Sequence, residues 1–203
     1  MIDRDTIRSE KYELTRTETS IELRSNRLLI RAFRDADIRA LIEYLSCGDP
    51  MVERVMGIQP TAEAITEYWQ PMSETDPFGD PQWLSMLIEL SEEKKVIGNV
   101  GYGITVIDPM HKLGSIGWSL SSAYRSRGIA TEAAQAVLGF VFDHLDVHRV
   151  HARTGLANAP SWRLMERLGM RREAHFREGH TNLAGQWDDE FIYAILKKEW
   201  IAA

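Results

Sequence analysis

The 203-residue chain has one cysteine, Cys47, so no intrachain disulfide can staple it. That fits a reducing, cytoplasmic setting, and Cys47 itself reads as a small buried or half-buried residue. No apolar run reaches the roughly 20 residues that a membrane-spanning helix needs. The opening Met1-Ile2-Asp3-Arg4-Asp5 lacks the basic-then-apolar order of a secretory signal, and no membrane partner is expected. Positive charge is in deficit: 24 Lys and Arg stand against 30 Asp and Glu, a net charge of −6. A general nucleic-acid binder needs a basic field, so nucleic acid is not an expected partner. The same sign suits a cationic one. His144, His148 and His151 do not form the i, i+4 pair of a helical zinc site, and no cysteine joins them, so no metal is expected. Neither the Walker pattern nor the G-x-G-x-x-G dinucleotide pattern is present.

Apolar residues make up 44% of the chain, enough for a substantial core in one domain. Residues 1–20 are polar and lack a sustained period, so they read as an extension, with a single domain over 21–203. Leu28-Leu29-Ile30 between arginines predicts a strand. Ile38, Leu41, Ile42 and Leu45 recur at helical spacing, with Asp35 as a candidate N-cap. Thr61 can cap a second helix that Pro71 would end. The Pro/Gly/Asp-rich loop over 73–81 could border a site. Residues 83–120 read as an antiparallel meander, in which Gly98, Gly101 and Gly103 suggest bulges or close approaches. From Gly128 the period changes to helical, followed by a strand at 149–153 and a short helix from Ala159 to Leu168, with Asn158 as N-cap and Gly169 at its C-terminal stop. Two closing strands end the chain. The order is β-α-α-β-β-β-α-β-α-β-β.

The densest signal is Tyr124-Arg125-Ser126-Arg127-Gly128-Ile129-Ala130-Thr131. It joins a strand to a helix. The first N–H groups of a helix lack intrahelical partners and the helix dipole favours an anion there. Gly128 allows close backbone approach, and Arg125 and Arg127 can add charge-assisted hydrogen bonds. The segment therefore reads as a pyrophosphate cradle. Arginine is also concentrated over 149–177, a second region suited to an anionic ligand.

The Arg-x-x-Gly-x-Ala core of this loop resembles the signature of the GNAT superfamily of acyl-CoA-dependent N-acyltransferases. Further stretches match in order: Asn158-Ala159-Pro160-Ser161 with Glu166-Arg167-Leu168-Gly169-Met170, then Arg172-Glu173 with Arg177-Glu178, then Gly185-Gln186-Trp187-Asp188 with Tyr193 and Glu199-Trp200, and upstream Arg27-Leu28-Leu29-Ile30-Arg31. They are similar to the branch that contains the ribosomal-protein N-acetyltransferases. The resemblance covers about residues 25–200. It implies an α+β fold, a twisted mixed sheet of about seven strands with helices on both faces. It also implies acetyl-CoA as co-substrate, direct attack by an amine, and a homodimer as common among relatives. The acceptor would be a protein N-terminus or a small amine such as a polyamine or aminoglycoside. A non-catalytic acyl-CoA-binding module is the alternative.

By the same resemblance Trp118, Ser119 and Leu120 hold the pantetheine arm, and the Leu120 N–H polarises the thioester carbonyl. The phosphates fall to Arg125, Ser126, Arg127, Gly128, Ile129, Ala130 and Thr131. Asn158 either caps its helix or binds pantetheine. Ser161 stands where the family can protonate the departing thiolate, because the tyrosine of many relatives is replaced by Met165. Glu178 is the first choice for the base, with Glu173, His175 and His180 as alternatives. Trp187 and Asp188 read as a packed aromatic and a hairpin turn.

Overall fold

Alternating burial divides the molecule into layers. In the computed structural model, which describes residues 6–8, 11–16, 20–49, 52, 57–182 and 184–201, Met86 and Ile88 enter one apolar cluster while Leu87 between them enters another. Successive side chains of a strand leave on opposite faces, so the clusters lie on the two sides of one sheet. Among the described residues that sheet has ten strands: β1 (Thr6–Arg8), β2 (Glu13–Arg16), β3 (Ile21–Arg24), β4 (Leu28–Arg31), β5 (Leu84–Leu90), β6 (Lys95–Asp108), β7 (His111–Leu120), β8 (Arg149–Gly155), β9 (Arg171–Thr181) and β10 (Trp187–Leu196). The spatial order is β1 through β8, then β10, then β9. Every neighbouring pair is antiparallel except β7–β8.

On one face lie α1 (Ile38–Leu45) and α2 (Ala62–Ser73), burying Leu41, Leu45, Ile65 and Trp69 with Leu87 and Val96. On the other lies α3 (Ile129–His144), whose Val137, Phe140 and Val141 are fully or almost fully buried. It is joined there by α4 (Ala159–Arg167) through Leu164 and Met165. The short α5 (Lys197–Ile201) sets Trp200 against Phe142 at 6.0 Å between rings. This is the expected α+β arrangement, with a mixed sheet and helices on both faces.

The sheet exceeds the expected seven strands by three, all before Leu28. Residues 6–8 and 13–16 lie inside the segment read as a polar extension. Their sequence is short and polar, yet Tyr12 and Leu14 are buried. Tyr12 lies across Gly139 of α3, where an added Cβ would come within 2.6 Å of its ring, and its hydroxyl donates to Asp143 at 3.1 Å. In β1 and β2 only Ile7 and Leu14 are apolar, which is why periodicity alone misses these strands.

Helix ends follow local chemistry. Thr61 Oγ1 accepts the Ala64 N–H at 3.2 Å, as its position predicts. Pro71 does not end α2, which continues to Ser73. A short 3-10 turn, Asp35–Asp37, precedes α1, and the residue at its N-cap is Asp37 rather than Asp35. The Asp37 carboxylate accepts the Arg34 N–H at 2.8 Å at the start of the 3-10 turn but makes no cap bond to α1. It also accepts two hydrogen bonds from Arg31, each 2.7 Å, while Glu89 takes two more at 2.8 and 2.6 Å. Arg31 is only 4% exposed, and hydrogen bonds to both carboxylates outweigh the cost of burying it, keeping its pKa above the ordinary value. The guanidinium thus fastens β4, β5 and the turn into α1.

Removing one partner of a buried ion pair leaves charge without compensation and costs about 3–5 kcal/mol. Arg31→Leu is therefore expected to lower unfolding free energy by about that amount in urea denaturation, with two carboxylates left buried. A loss under about 1 kcal/mol would show that this triad behaves like a solvated surface pair.

Candidate functional site

Beta 7 and β8 pair for only three residues, Leu113–Arg149, Gly114–Val150 and Ser115–His151. Beyond Ser115 they separate. Strand β7 stays on β6 through Trp118–Val100, Ser119–Asn99 and Leu120–Gly98, while β8 stays on β10 from Arg149 to Gly155. A cleft of about 840 Å³ opens between them, lined on one side by Ile116, Gly117 and Trp118 and on the other by Arg153, Thr154 and Gly155. Ser121 N–H donates to Ile97 O at 2.9 Å, and the Leu120 carbonyl accepts from Arg125 on the opposite side. Backbone groups of alternate strand residues point to opposite edges. The Leu120 peptide groups therefore face the open edge, where the carbonyl meets Arg125 and the N–H points to the cleft side.

The predicted phosphate loop lies at the end of this strand. Ser126 and Gly128 are both left-handed, at φ 61° and 77°, a conformation that glycine adopts freely. The first bond inside α3 runs from Glu132 N–H to Gly128 O at 3.0 Å. The N–H groups of Ile129, Ala130 and Thr131 precede it and have no intrahelical carbonyl to meet. An acidic residue in this first turn would repel an anion, but Glu132 is covered. It accepts from Arg27 N–H at 2.9 Å, Arg27 Nε at 2.7 Å and Ser25 Oγ at 2.7 Å. Against the upward push of burial, these bonds hold its carboxyl below the usual range. Arg27 also donates to the Arg127 carbonyl at 3.0 Å, tying the turn before β4 to the loop.

The two loop arginines differ from each other. Arg125 turns back on the protein: its Nε donates to Leu120 O at 3.0 Å and its guanidinium pairs with Asp49 at 2.5 Å. It braces the end of β7 against the segment after α1. Arg127 lies near the Tyr124 ring, 5.4 Å from its centroid, in a loop whose surface is open. Three arginines over 149–177 are likewise committed to carboxylates, Arg149 to Glu173, Arg153 to Glu190, and Arg171 to Glu173 and Glu199.

Ser119 turns its side chain through the sheet, where Tyr44 donates to it at 2.7 Å, and Asn99 extends this buried network to Ser85 at 3.1 Å. Burial pushes the Tyr44 hydroxyl well above its ordinary range, so it is a structural donor. Asn158 occupies the N-cap position of α4 without making a side-chain cap bond, and it lines the cleft with Ser161 and the buried Met165. Trp118, Asn158 and Ser161 are thus brought together, while the Arg125 side chain is drawn away.

Glu178 is not among the cleft-lining residues. It sits in an irregular part of β9 at φ 50°, exposed, with its N–H on Asp189 Oδ1 at 3.0 Å. Glu173 is paired with Arg149 and Arg171, and His175 with Asp189 at 2.6 Å. The residue of that group that does line the cleft is His180, accompanied by Asp188 and Glu190. Asp188 is thus more than a turn residue, and Trp187 beside it is 66% exposed rather than packed. Cys47 is also exposed, not buried. The 73–81 loop does not line the cleft: Phe78 is packed 5.4 Å from Phe140 of α3.

Two lining aromatics carry no motif. Trp83 lies across Gly101 and Gly117, where added Cβ atoms would come within 2.9 and 3.1 Å of its indole, and Tyr68 stands nearby on α2. Gly101 of β6 and Gly117 of β7 are the trace that Trp83 leaves in the sequence. Gly98, also flagged, passes under β7, with Ser119 O 2.3 Å from a would-be Cβ. Among the described residues no cluster of His, Cys, Asp and Glu could hold a metal ion, and no helix is long and apolar enough to cross a membrane.

Comparison with known proteins agrees with this geometry. The family model for the acetyltransferase (GNAT) domain matches residues 27–171. An uncharacterized N-acetyltransferase of Bacillus subtilis, YnaD, is 31% identical over 183 residues, covering 89% of this chain and 99% of that protein. The alanine N-acetyltransferase of ribosomal protein uS5 from Escherichia coli is 22% identical over 184 residues, 89% and 93% of the two chains. The crystal structure of a GNAT-family acetyltransferase from Bacillus anthracis aligns with TM-score 0.70 at 30% identity, over 87% of this chain and 99% of that one.

If Arg27 keeps Glu132 from opposing an anion, Arg27→Met should weaken coenzyme A binding about fivefold, the scale of a partly exposed ion pair. Glu132→Gln in the same chain should restore it. Calorimetric titration of both variants reads this directly, and unchanged affinity in Arg27→Met would remove the role assigned to Arg27.

Proposed function

The chain belongs to the GNAT acetyltransferase family, and from that premise we propose that it transfers an acetyl group from acetyl-CoA to a primary amine by direct attack. The observation that carries this reading is the meeting of two features in one place. The open edge of β7 runs straight into a helix start whose N–H groups have no internal partner. A long ligand with an amide-bearing arm and a pyrophosphate fits that sequence of groups. The Trp118 and Leu120 backbone would hold the arm. Ser126, Arg127, Gly128 and the N–H groups of Ile129, Ala130 and Thr131 would hold the phosphates, with Arg125 bracing the loop rather than touching them.

Acetyl-CoA supplies an activated thioester. The residues of this chain do the rest. The Leu120 N–H lies on the edge where negative charge would develop on the carbonyl oxygen, and a donor of that kind typically contributes about 3 kcal/mol to lowering the barrier. Ser161, near Asn158 on α4, is in position to return a proton to sulfur. Met165 cannot do so, having no transferable proton. Cys47 lies in the segment after α1, outside the cleft lining, which favours direct transfer over a cysteine relay.

The acceptor enters beside Trp83 and Tyr68, two rings whose faces attract a cation. The carboxylate of Asp188 adds a further attraction. A protein N-terminus, as in the relative that acts on ribosomal protein uS5, and a small amine both meet these requirements.

Thiol release from acetyl-CoA with peptides bearing N-terminal Ser, Ala or Met, with polyamines and with aminoglycosides tests the activity and its acceptor together. Acceptor-dependent release is expected, and Ser161→Ala should slow it roughly tenfold to a hundredfold if the serine donates the proton. No release and no calorimetric binding of acetyl-CoA would overturn the assignment of the loop. Undiminished release in Ser161→Ala would overturn the role of the serine.

A further inference from the structure

The cleft contains one imidazole, and its surroundings fix which nitrogen is available. His180 Nδ1 lies 3.2 Å from the backbone carbonyl of Asp188. A carbonyl oxygen can only accept, so Nδ1 carries the proton and Nε2 holds the free electron pair. Nε2 lies over Gly155, at the end of β8: a Cβ added there would be 2.4 Å from Nε2 and 2.5 Å from the neighbouring ring carbon. No other residue type leaves room for the ring in this place. Gly155 lies on the wall of the cleft that faces the open edge of β7.

We propose that His180 is the proton acceptor of the reaction and that Gly155 is the seat that holds its Nε2 toward the acceptor amine. This rests on the acetyl-transfer reading above and replaces Glu178 in that role.

The other cleft groups are less suited. Both Glu190 oxygens are engaged by Arg153, at 3.1 and 2.7 Å. Asp188 Oδ1 accepts the Asp189 N–H at 2.9 Å, while its Oδ2 lies 3.6 Å from the same would-be Cβ on Gly155. That oxygen is close enough to the seat to attract an ammonium group toward Nε2. The other imidazole held by a carbonyl, His151 on Gly114 O at 2.9 Å, is in the paired part of β7 and β8, outside the cleft.

In the step proposed, His180 Nε2 removes a proton from the acceptor ammonium. The freed nitrogen bonds to the acyl carbon, and the carbon–sulfur bond breaks with its electron pair on sulfur. Two protons leave nitrogen in all. The first passes through the imidazolium to solvent; the thiolate takes a proton from Ser161 or water, and the second proton from nitrogen restores that donor.

Two measurements test this on the intact chain. Long-range proton–nitrogen NMR of the histidines should show His180 with Nδ1 protonated and Nε2 bare, and Gly155→Ala should shift those resonances because the ring must move. An Nε2-protonated tautomer, or a ring unmoved in Gly155→Ala, overturns the seat whether or not any acceptor has been found. With an N-terminal alanine peptide and acetyl-CoA, His180→Gln should lower kcat/KM about a hundredfold or more and remove the acidic limb of its pH profile. Acetyl-CoA affinity should be unchanged. A profile that keeps that limb in His180→Gln overturns the proposal while leaving the acetyl-transfer reading intact. Failure of the wild-type chain to bind acetyl-CoA would instead strike the broader reading.

Discussion

The site depends on the failure of two parallel strands to stay together. Parallel neighbours need a crossover between them, and here α3 supplies it. Having joined over three residues, β7 and β8 are then committed to different partners, β6 on one side and β10 on the other. Backbone N–H and C=O groups are obligatory hydrogen-bonding groups, and those at an open internal edge must meet water or a ligand. The fold thus holds in its middle a strip of peptide without a strand partner, flanked by two half-sheets.

The surrounding residues keep that strip usable. Gly101 and Gly117 lower the sheet surface so that Trp83 can lie flat at the cleft. Tyr44, Ser119, Asn99 and Ser85 connect the strip's far face to α1 through buried hydrogen bonds. Arg27 removes the effect of an acidic residue at the helix start, and Arg125 joins the strand end to Asp49. None of these side chains need touch a reacting atom. They hold the peptide groups that would, which is the more demanding task, because a donor displaced by about 1 Å from its target loses much of its value.

Much of this was legible in the sequence. The switch from period 2 to helical spacing at Gly128 located β7, the loop and α3, and β6 glycines signalled the close approaches found at Gly98 and Gly101. The loop, Asn158 and Ser161 were readable because each belongs to a local pattern. What escaped was tertiary. The strands before Leu28 are short and mostly polar, and they gain their apolar partner only when Tyr12 meets Gly139 of α3, 127 positions along the chain by numbering. The burial of Arg31 comes from Glu89, on another strand. Arg125 looked like a phosphate ligand because its partner Asp49 is far away in sequence. Glu178 looked like a base because spacing cannot reveal that the backbone turns left-handed there and that His180 takes the place facing Gly155.

The most direct test of the central claim is hydrogen–deuterium exchange, resolved along the chain, with and without acetyl-CoA. Slower exchange over residues 118–121 and 126–131, with β1 to β3 unaffected, is the predicted result, since the ligand would satisfy the open edge of β7 and the first turn of α3. Binding that protects some other surface and leaves both of these segments unchanged would contradict the account.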